Sequence, residues 1–181
     1  SRTLYDAIKR NDVAYVKLLT RPGIGRHEGL NFRDENGDTP LHRAVMQGSA
    51  EMVGLLCAAG ADVEARNFED DTPLYKAVLH RSIPAASILI TYRANVNAIV
   101  RRGLTVLHVR YNHSIPFEEW MRMVLFMIKC GADINAKERI GWGWPAFFSH
   151  LIDLNDDDAI RMIQFLFVVG ADFNTRDSYK S

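Results

Sequence analysis

Cysteine, net charge and long apolar runs are all scarce in this 181-residue chain. Its two cysteines, Cys57 and Cys130, are too few for a disulfide framework, and they favour free thiols in a reducing, intracellular compartment, cytoplasmic or nuclear. The 22 basic residues balance the 22 acidic ones, which argues against nucleic acid or an anionic membrane as the main partner. The apolar runs at 124–128 and 165–169 are too short to span a membrane.

The sequence also lacks the residue sets that carry catalysis or hold a metal or cofactor. No Cys/His spacing fits a zinc site, and no Gly-rich loop follows a strand to hold a phosphate. The acidic run at 155–158 stands where a helix should begin, so it predicts a capping turn, not a metal site. The sequence therefore predicts a protein that is not an enzyme and uses no metal and no cofactor.

What the chain has instead is a repeated four-residue motif. The segment Thr39-Pro40-Leu41-His42 recurs 33 residues later as Thr72-Pro73-Leu74-Tyr75. Thr caps the first N–H groups of a helix, and Pro suits the first helical position, where no N–H is needed. A second signal, typified by Gly60-Ala61-Asp62-Val63, ends a later helix because Gly adopts the left-handed conformation without a Cβ clash. Related segments follow at 93–96, 131–134 and 170–173.

A period of 33 residues that carries a T-P-L-H-x-A motif resembles the ankyrin repeat. The resemblance implies an all-α solenoid of five helix-turn-helix repeats with short β-hairpin-like turns. We expect a single ankyrin-repeat domain over 1–181, with repeats at about 1–33, 34–66, 67–99, 100–137 and 138–177. The chain starts without Met and stops where another turn would begin, so we expect a piece of a longer protein.

The second repeat illustrates the expected helices. We predict an inner helix over 40–47 and an outer helix over 50–59, with apolar faces that neighbouring repeats cover. The last motif residue, His42, is expected to be structural, because the resemblance implies a ring that bonds neighbouring backbone or Thr groups. The same role is expected for His108 in the fourth repeat.

The carboxy-terminal repeats depart from this pattern. In the fourth repeat Val106 replaces the motif proline and Arg110 replaces the small alanine, and the outer helix is predicted to lengthen to 116–129. The fifth repeat reads Gly143-Trp144-Pro145-Ala146 where the motif should stand. Departures of this kind in a repeat protein favour a functional role for these repeats.

Binding is the function that the resemblance implies. Ankyrin repeats usually meet partners with the tips of their turns and the exposed side of their inner helices, the concave face. We therefore expect a monomeric, non-catalytic scaffold that binds a protein partner, with most of the binding energy at Arg101, Arg102 and Trp142, because Trp and Arg dominate interface hot spots. The candidate contact residues are Glu35, Asp38, Met46, Phe68, Glu69, Asp71, His80, Arg101, Arg102, Leu104, Asn112, Arg139, Ile140, Trp142 and Trp144.

Three alternatives remain open from the sequence. An Arg/Trp cluster in the last two repeats also suits a small ligand or nucleotide, since stacking and cation–π contacts hold a base and a phosphate. The fragment could instead position an enzyme domain that lies outside it. Finally, the partner could use the convex outer helices, around Phe117, Trp120 and Met121.

Three asparagines form a separate candidate for modification. Asn97, Asn135 and Asn174 each follow an acidic or amide residue and an apolar residue, a pattern that resembles the site accepted by an asparaginyl hydroxylase in ankyrin repeats. Asn is also an ordinary residue of this turn, because it tolerates the turn conformation.

Overall fold

The computed structural model describes residues 2–21, 29–109, 116–137 and 154–173, with the backbone alone for Arg2 and Arg102. These residues form eight α-helices and two 3₁₀ turns, and the only bridge between extended residues among them joins Val100 and Leu104. The chain divides into two compact units, 1–95 and 96–181, and each is described by itself. The predicted single domain and its repeat limits stay predictions.

Unit one contains six short helices in three antiparallel pairs. The inner helices are α1 (Arg2–Lys9), α3 (Pro40–Met46) and α5 (Pro73–Leu79), and the outer helices are α2 (Val13–Leu19), α4 (Ala50–Ala58) and α6 (Ile83–Thr91). Each inner helix packs on its own outer helix and on the next inner helix, while α2, α4 and α6 pack in sequence behind them. Two layers of helices result, which confirms the predicted all-α fold of stacked helix pairs.

Side-chain caps explain where these helices begin. The Thr39 and Thr72 hydroxyl groups accept the N–H groups of residues 42 and 75, and a proline follows each Thr. The outer helices α4 and α6 are capped in the same way by Ser49 and Ser82. Each cap satisfies a backbone donor that has no partner inside the helix, which typically stabilises a helix by about 1 kcal/mol.

The helix ends are less uniform than the starts. Gly60 follows α4 with φ of +90°, a conformation that glycine adopts without a Cβ clash. At the matching place after α6 the chain has Arg93, which adopts φ of +69° all the same. A left-handed non-glycine residue costs roughly 1–2 kcal/mol, so tertiary packing holds this turn.

The core of unit one lies between the two layers. Small alanines on the inner helices, Ala7, Ala44 and Ala77, are fully buried and let neighbouring helices approach closely. Larger side chains from both layers fill the remaining space, and those with at most 1% exposure include Ile8, Val16, Leu41, Met52, Val53, Leu56, Leu74 and Leu89. One helix pair cannot cover these faces alone, so the stability comes from contacts between repeats.

Unit two keeps the outer helices and shortens the inner element. The 3₁₀ turns are Arg101–Gly103 and Val106–His108, followed by helices α7 (Phe117–Lys129) and α8 (Asp156–Val168). Asn155 caps α8 by accepting the N–H of Asp158 at 2.9 Å. The acidic run is therefore a helix start, as predicted, and its charge complements the positive end of the helix dipole.

Candidate functional site

The turns between repeats are held by one side chain each. In the turn of repeat two, Asp34 Oδ1 accepts the N–H groups of Asn36 and Asp38, both at 2.9 Å. In the next turn Asn67 Oδ1 does the same for the residues two and four positions further on, at 3.0 and 2.9 Å. Because each carboxylate or amide oxygen binds two amides, the turn residues are held in one conformation.

Neighbouring turns are also bonded to each other. The Phe68 N–H donates to the Asn36 carbonyl oxygen at 3.0 Å. Beside it the Asn67 amide donates to the Asp38 carboxylate at 2.8 Å, and both of these side chains are buried. The turns of repeats two and three therefore form one connected edge within unit one.

A large aromatic side chain projects from this edge. Phe68 is 74% exposed, the most exposed aromatic side chain in the described ranges apart from residues too small to compare. Its ring lies over Gly37, where a Cβ atom would stand 2.6 Å from Phe68 Cδ1. Gly37 also has φ of +74°, so a side chain there is excluded both by the backbone and by the ring. The ring is thus positioned by its own turn and by the preceding one.

Charged groups flank the ring on the side of α5. The Lys76 ammonium lies 2.8 Å from Glu69 and 3.1 Å from Asp71, and the Asp71 side chain is fully buried. Burial alone would lower the pKa of Lys76, but the hydrogen bonds to Glu69 and Asp71 outweigh it and raise the pKa. Lys76 is therefore a permanent cation that is committed to these two carboxylates.

Two of the predicted contact residues are corrected by this geometry. Asp38 is 4% exposed and its carboxylate accepts from Asn67, while Asp71 is fully buried and pairs with Lys76. Both carboxylates face into the contact between adjacent turns, so neither can reach a partner. Their role is to hold the turns together, and we leave them out of the proposed contact surface.

The other predicted residues of unit one lie at accessible positions. Glu35, Phe68, Glu69 and His80 are exposed, and Met46 is half-buried near the end of α3. Partial burial lowers the pKa of His80, and the nearby charges of Lys76 and Arg81 lower it further. His80 is therefore a neutral, accessible ring at neutral pH.

The remaining candidates belong to unit two. Arg101 and Leu104 are half-buried, and the Leu104 carbonyl accepts the Val100 N–H at 2.8 Å. The side chain of Arg102 lies outside the described part of the chain. The predicted residues Asn112, Arg139, Ile140, Trp142 and Trp144 also lie outside the described residues.

The motif histidines have the structural role that was predicted. The Thr39 N–H donates to His42 Nδ1 at 3.2 Å, so the ring proton is on Nε2, which donates to the Asp71 carbonyl at 3.0 Å. His108 Nδ1 accepts the Thr105 N–H at 3.0 Å in the same way. Burial lowers the pKa of both rings, that of His108 to about 4. Both rings are neutral at pH 7 and serve the fold.

The candidate asparagines also make structural bonds. Asn97 donates to the Gly131 carbonyl at 2.9 Å and accepts the Asp133 N–H at 2.8 Å. Asn135 accepts the Asp172 N–H at 2.8 Å. These bonds use the amide groups and leave the Cβ positions unused, so hydroxylation of Asn97 and Asn135 stays a prediction. Asn174 lies outside the described residues.

The convex alternative loses two of its three residues. Phe117 and Trp120 are 6% and 4% exposed and pack with Met162 and Leu166 of α8. They form the core of unit two, because the lengthened helix α7 turns its aromatic face towards α8. The expectation that Phe117 and Trp120 line an outer interface is therefore wrong.

A pocket that the sequence did not reveal lies between α1, α3 and the turn at 32–36. It has a volume of about 540 Å³ and contains Lys9 and Arg43. Arg43 stands 33 positions before Lys76, and Asn36 stands 33 positions before its partner Glu69. This exchange of an acidic residue for a neutral one was the sequence signal that could have identified an unpaired cation.

Two further searches gave negative results within the described ranges. No group of three or more His, Cys, Asp or Glu residues there is placed to hold a metal ion. Among the helices of those same ranges, none combines the length and the apolar character that crossing a bilayer requires.

Comparison with known proteins gives three related findings. The family described as ankyrin repeats (3 copies) matches residues 3–67. The chain is 30% identical over 178 residues to the B-cell lymphoma 3 protein homolog of Mus musculus, covering 96% of this chain and 37% of that protein. It is 30% identical over 141 residues to the NF-kappa-B inhibitor alpha of Sus scrofa, covering 75% of this chain and 43% of that protein.

A shorter match, 38% identical over 64 residues, is to protein phosphatase 1 regulatory subunit 27 of Mus musculus, covering 35% of this chain and 39% of that protein. The chain thus spans about two fifths of the length of the curated relatives it matches. Two of the relatives are named as an inhibitor and as a regulatory subunit, which are regulators of other proteins. The repeated Thr-Pro caps, the stacked helix pairs and these matches agree: the chain is an ankyrin-repeat protein.

Proposed function

We propose that this protein is a non-catalytic scaffold that binds a protein partner through the turn tips and inner helices of its repeats. The observation that carries the proposal is Phe68, an aromatic side chain that is 74% exposed on a well-bonded turn. Exposed aromatic residues are costly unless something covers them, and aromatic residues are among the types most enriched at interface hot spots. A rigid support also reduces the entropy lost on binding.

The accessible neighbours fit the same role. Glu35 and Glu69 flank Phe68 along the connected edge, and Met46 and His80 continue the surface along the inner helices. Charged residues at the rim of an interface mainly set the association rate and its salt dependence, while a central apolar residue supplies most of the affinity. Phe68 is therefore proposed as the anchor of this surface, with the glutamates as its rim.

The names of the relatives suggest the first partners to test. NF-kappa-B and protein phosphatase 1 are named in those of two relatives, and we propose that this chain likewise regulates a protein by binding it. The predicted contribution of Arg101, Arg102 and Trp142 remains part of the proposal. We also propose that the protein is a monomer and intracellular, where its free thiols Cys57 and Cys130 stay reduced.

The test is a binding titration of purified NF-kappa-B and protein phosphatase 1, alongside affinity capture from matched cell extract, with the wild type and two variants. Phe68→Ala should lose about 2 kcal/mol of binding to whichever partner is found. Tyr92→Ala is the matched control, because Tyr92 is an exposed aromatic at the end of outer helix α6. Equal binding by Phe68→Ala and Tyr92→Ala, with both folded, would show that the partner does not use this surface.

The alternative functions are carried by residues outside the described ranges. Recognition of a small ligand or nucleotide depends on Arg139, Trp142 and Trp144, and a role in positioning an enzyme domain depends on chain beyond these residues. Both stay predictions, to be pursued if no protein partner depends on Phe68.

A further inference from the structure

The pocket between α1 and α3 contains a cation with unsatisfied hydrogen-bonding capacity. The Nε atom of Arg43 is buried and has no hydrogen-bond partner in the described part of the chain. The Arg43 guanidinium also makes no ion pair there, although its charge helps to lower the pKa of Asp34 nearby. A buried donor left without an acceptor costs about 1–3 kcal/mol, and more when it is charged. This arginine is thus prepared to accept a partner from outside.

Comparison with the next repeat shows that the vacancy is specific to this position. Lys76 occupies the matching place on α5 and binds two carboxylates, Glu69 at 2.8 Å and Asp71 at 3.1 Å. In repeat two Asn36 replaces the first of these carboxylates, and the second, Asp38, is bonded to Asn67. Arg43 therefore lacks both of the internal acceptors that its counterpart has.

The surroundings of Arg43 add positive charge. Lys9 lines the same pocket, and the Arg33 guanidinium donates to the carbonyl oxygen atoms of Gly37, at 3.1 Å, and of Arg66. Carbonyl partners satisfy hydrogen bonds without cancelling a charge, so Arg33 keeps its full positive charge. The pocket thus presents three cations that form no ion pair with a carboxylate of the described residues.

The carboxylates that line the pocket are mostly engaged already. Asp34 accepts the Tyr5 hydroxyl in addition to its two turn amides, and burial of Asp34 is outweighed by these bonds, so that its pKa is lowered. Asp6 makes an interaction of its own. Glu35 is exposed at the rim. The charge that remains to be matched inside the pocket is that of the cations.

We propose that this pocket binds a carboxylate side chain of a protein partner, an Asp or Glu in an acidic extended segment, with Arg43 as its principal ligand. The planar guanidinium offers paired N–H donors that match the two oxygen atoms of a carboxylate. The Tyr5 and Phe32 rings, 5.0 Å apart, form an apolar wall for the residue next to the acid. This inference rests on the proposed scaffold function and specifies the chemistry of its partner.

The experiment uses a capped tetraglutamate peptide as the probe and follows the Arg43 Nε–Hε signal by NMR. Capped tetraglutamine tests the need for charge, and inorganic phosphate tests whether any anion suffices. We expect tetraglutamate at millimolar concentration to shift this signal, with smaller effects of tetraglutamine and of phosphate. An Arg43 signal unmoved by tetraglutamate overturns the proposal, and an equal shift by phosphate replaces the carboxylate site with a general anion site.

Variants separate this pocket from the rest of the surface. Arg43→Gln should weaken tetraglutamate binding about tenfold, the loss expected for one charge-assisted hydrogen-bonded pair. Arg21→Gln is the matched control, since Arg21 is an exposed, unpaired arginine on the outer-helix side, and it should change binding less than about twofold. Thermal melts must show that both variants fold.

The two proposals can fail separately. A protein partner that depends on Phe68 but binds Arg43→Gln as well as the wild type would leave the scaffold function standing and disprove the carboxylate pocket. Tetraglutamate binding that depends on Arg43, with no effect of Phe68→Ala on any partner, would support the pocket and count against the Phe68 anchor.

Discussion

The inner helix of repeats two and three runs for seven residues, whereas repeat four forms only the three-residue turn Val106–His108. Both versions begin with Thr, and in both Thr39 and Thr105 share the same bonds with a His three positions later. The first turn is therefore capped equally well in both places. A good cap starts an inner element but does not determine how long it becomes.

The difference lies in the residues that follow the cap. Repeats two and three have fully buried Ala44 and Ala77 where inner helices pack against each other, and repeat four has Arg110 at that position. Burying an unpaired arginine costs far more than burying a methyl group. The chain leaves the helical conformation at Val109, with ψ of 111°, directly before that residue. A small residue at this position is thus a condition for a full inner helix.

The same comparison extends to the ring of the motif histidine. His42 Nε2 donates to the Asp71 carbonyl of the next turn, whereas His108 Nε2 is buried without an acceptor among the described residues. The conserved cap therefore carries a bond between repeats only where the next turn presents a carbonyl group to it. Repeat four keeps the ring and lacks that bond within the described chain.

The largest expected effect tests whether the two regions are equally well packed around their outer helices. Leu56 of α4 and Met127 of α7 stand at matching positions, four residues before a left-handed glycine, and both are fully buried. Leu56→Ala and Met127→Ala should each lower the free energy of unfolding by about 2–5 kcal/mol, measured by urea titration. Leu18→Ala, at a side chain that is 52% exposed, is the control and should cost much less. A Met127→Ala variant as mild as this control would show that α7 is loosely packed.

The second expected effect uses pH to examine the histidine of repeat four. Burial lowers the pKa of His108 to about 4, below the usual 6.5, so the folded state disfavours the proton that the unfolded chain accepts. Stability is fully present above pH 6.5, falls by roughly 1.4 kcal/mol per pH unit as the pH drops towards 4, and levels off below that value.

The measurement is urea unfolding across this pH range in the wild type and in His108→Gln. The variant should lose this part of the pH dependence, while an NMR titration of the wild type should place the pKa of His108 near 4. An unchanged slope in His108→Gln would mean that other groups cause the acid sensitivity. His42→Gln, in which the matching ring is removed, shows how much the regular repeat contributes.

The smallest expected effect concerns the bonds between successive loops. Asn97 makes two hydrogen bonds to the loop at 131–133, while Glu64, at the matching position of repeat two, accepts one from the Asn95 N–H at 2.7 Å. Asn97→Ala should cost about 1 kcal/mol and Glu64→Ala about half of that, because exposed hydrogen bonds compete with water. Urea unfolding of both variants measures the difference, and equal losses would contradict the two-bond geometry of Asn97.

Most helix positions followed from local sequence signals. The inner helix predicted at 40–47 is observed as Pro40–Met46, and the long outer helix predicted at 116–129 is observed as Phe117–Lys129. Such agreement arises because Thr, Ser and Asn caps, Pro at the first helical turn and a closing glycine act within a few residues. The shortened inner element of repeat four was not predicted, since it depends on whether a side chain can be buried against another repeat.

The contact surface was predicted less well than the helices. Asp38 and Asp71 look like exposed turn residues in the sequence, but each is used by a neighbour 29 residues or five residues away, Asn67 and Lys76 respectively. Phe117 and Trp120 look like an exposed aromatic face, but α8 covers them. Arg43 was overlooked because an unpaired cation is recognised only when every possible partner has been placed.

The sequence by itself determined the repeat period, the helix starts and the all-α class, because these depend on caps and apolar spacing that act over one or two turns of chain. Only the tertiary structure decided which carboxylates are buried, where the inner helix of repeat four ends, and which cation is left without an acceptor. Those outcomes depend on residues about thirty positions apart that meet only after the repeats stack, and burial then sets the cost of each charge and each unpaired donor.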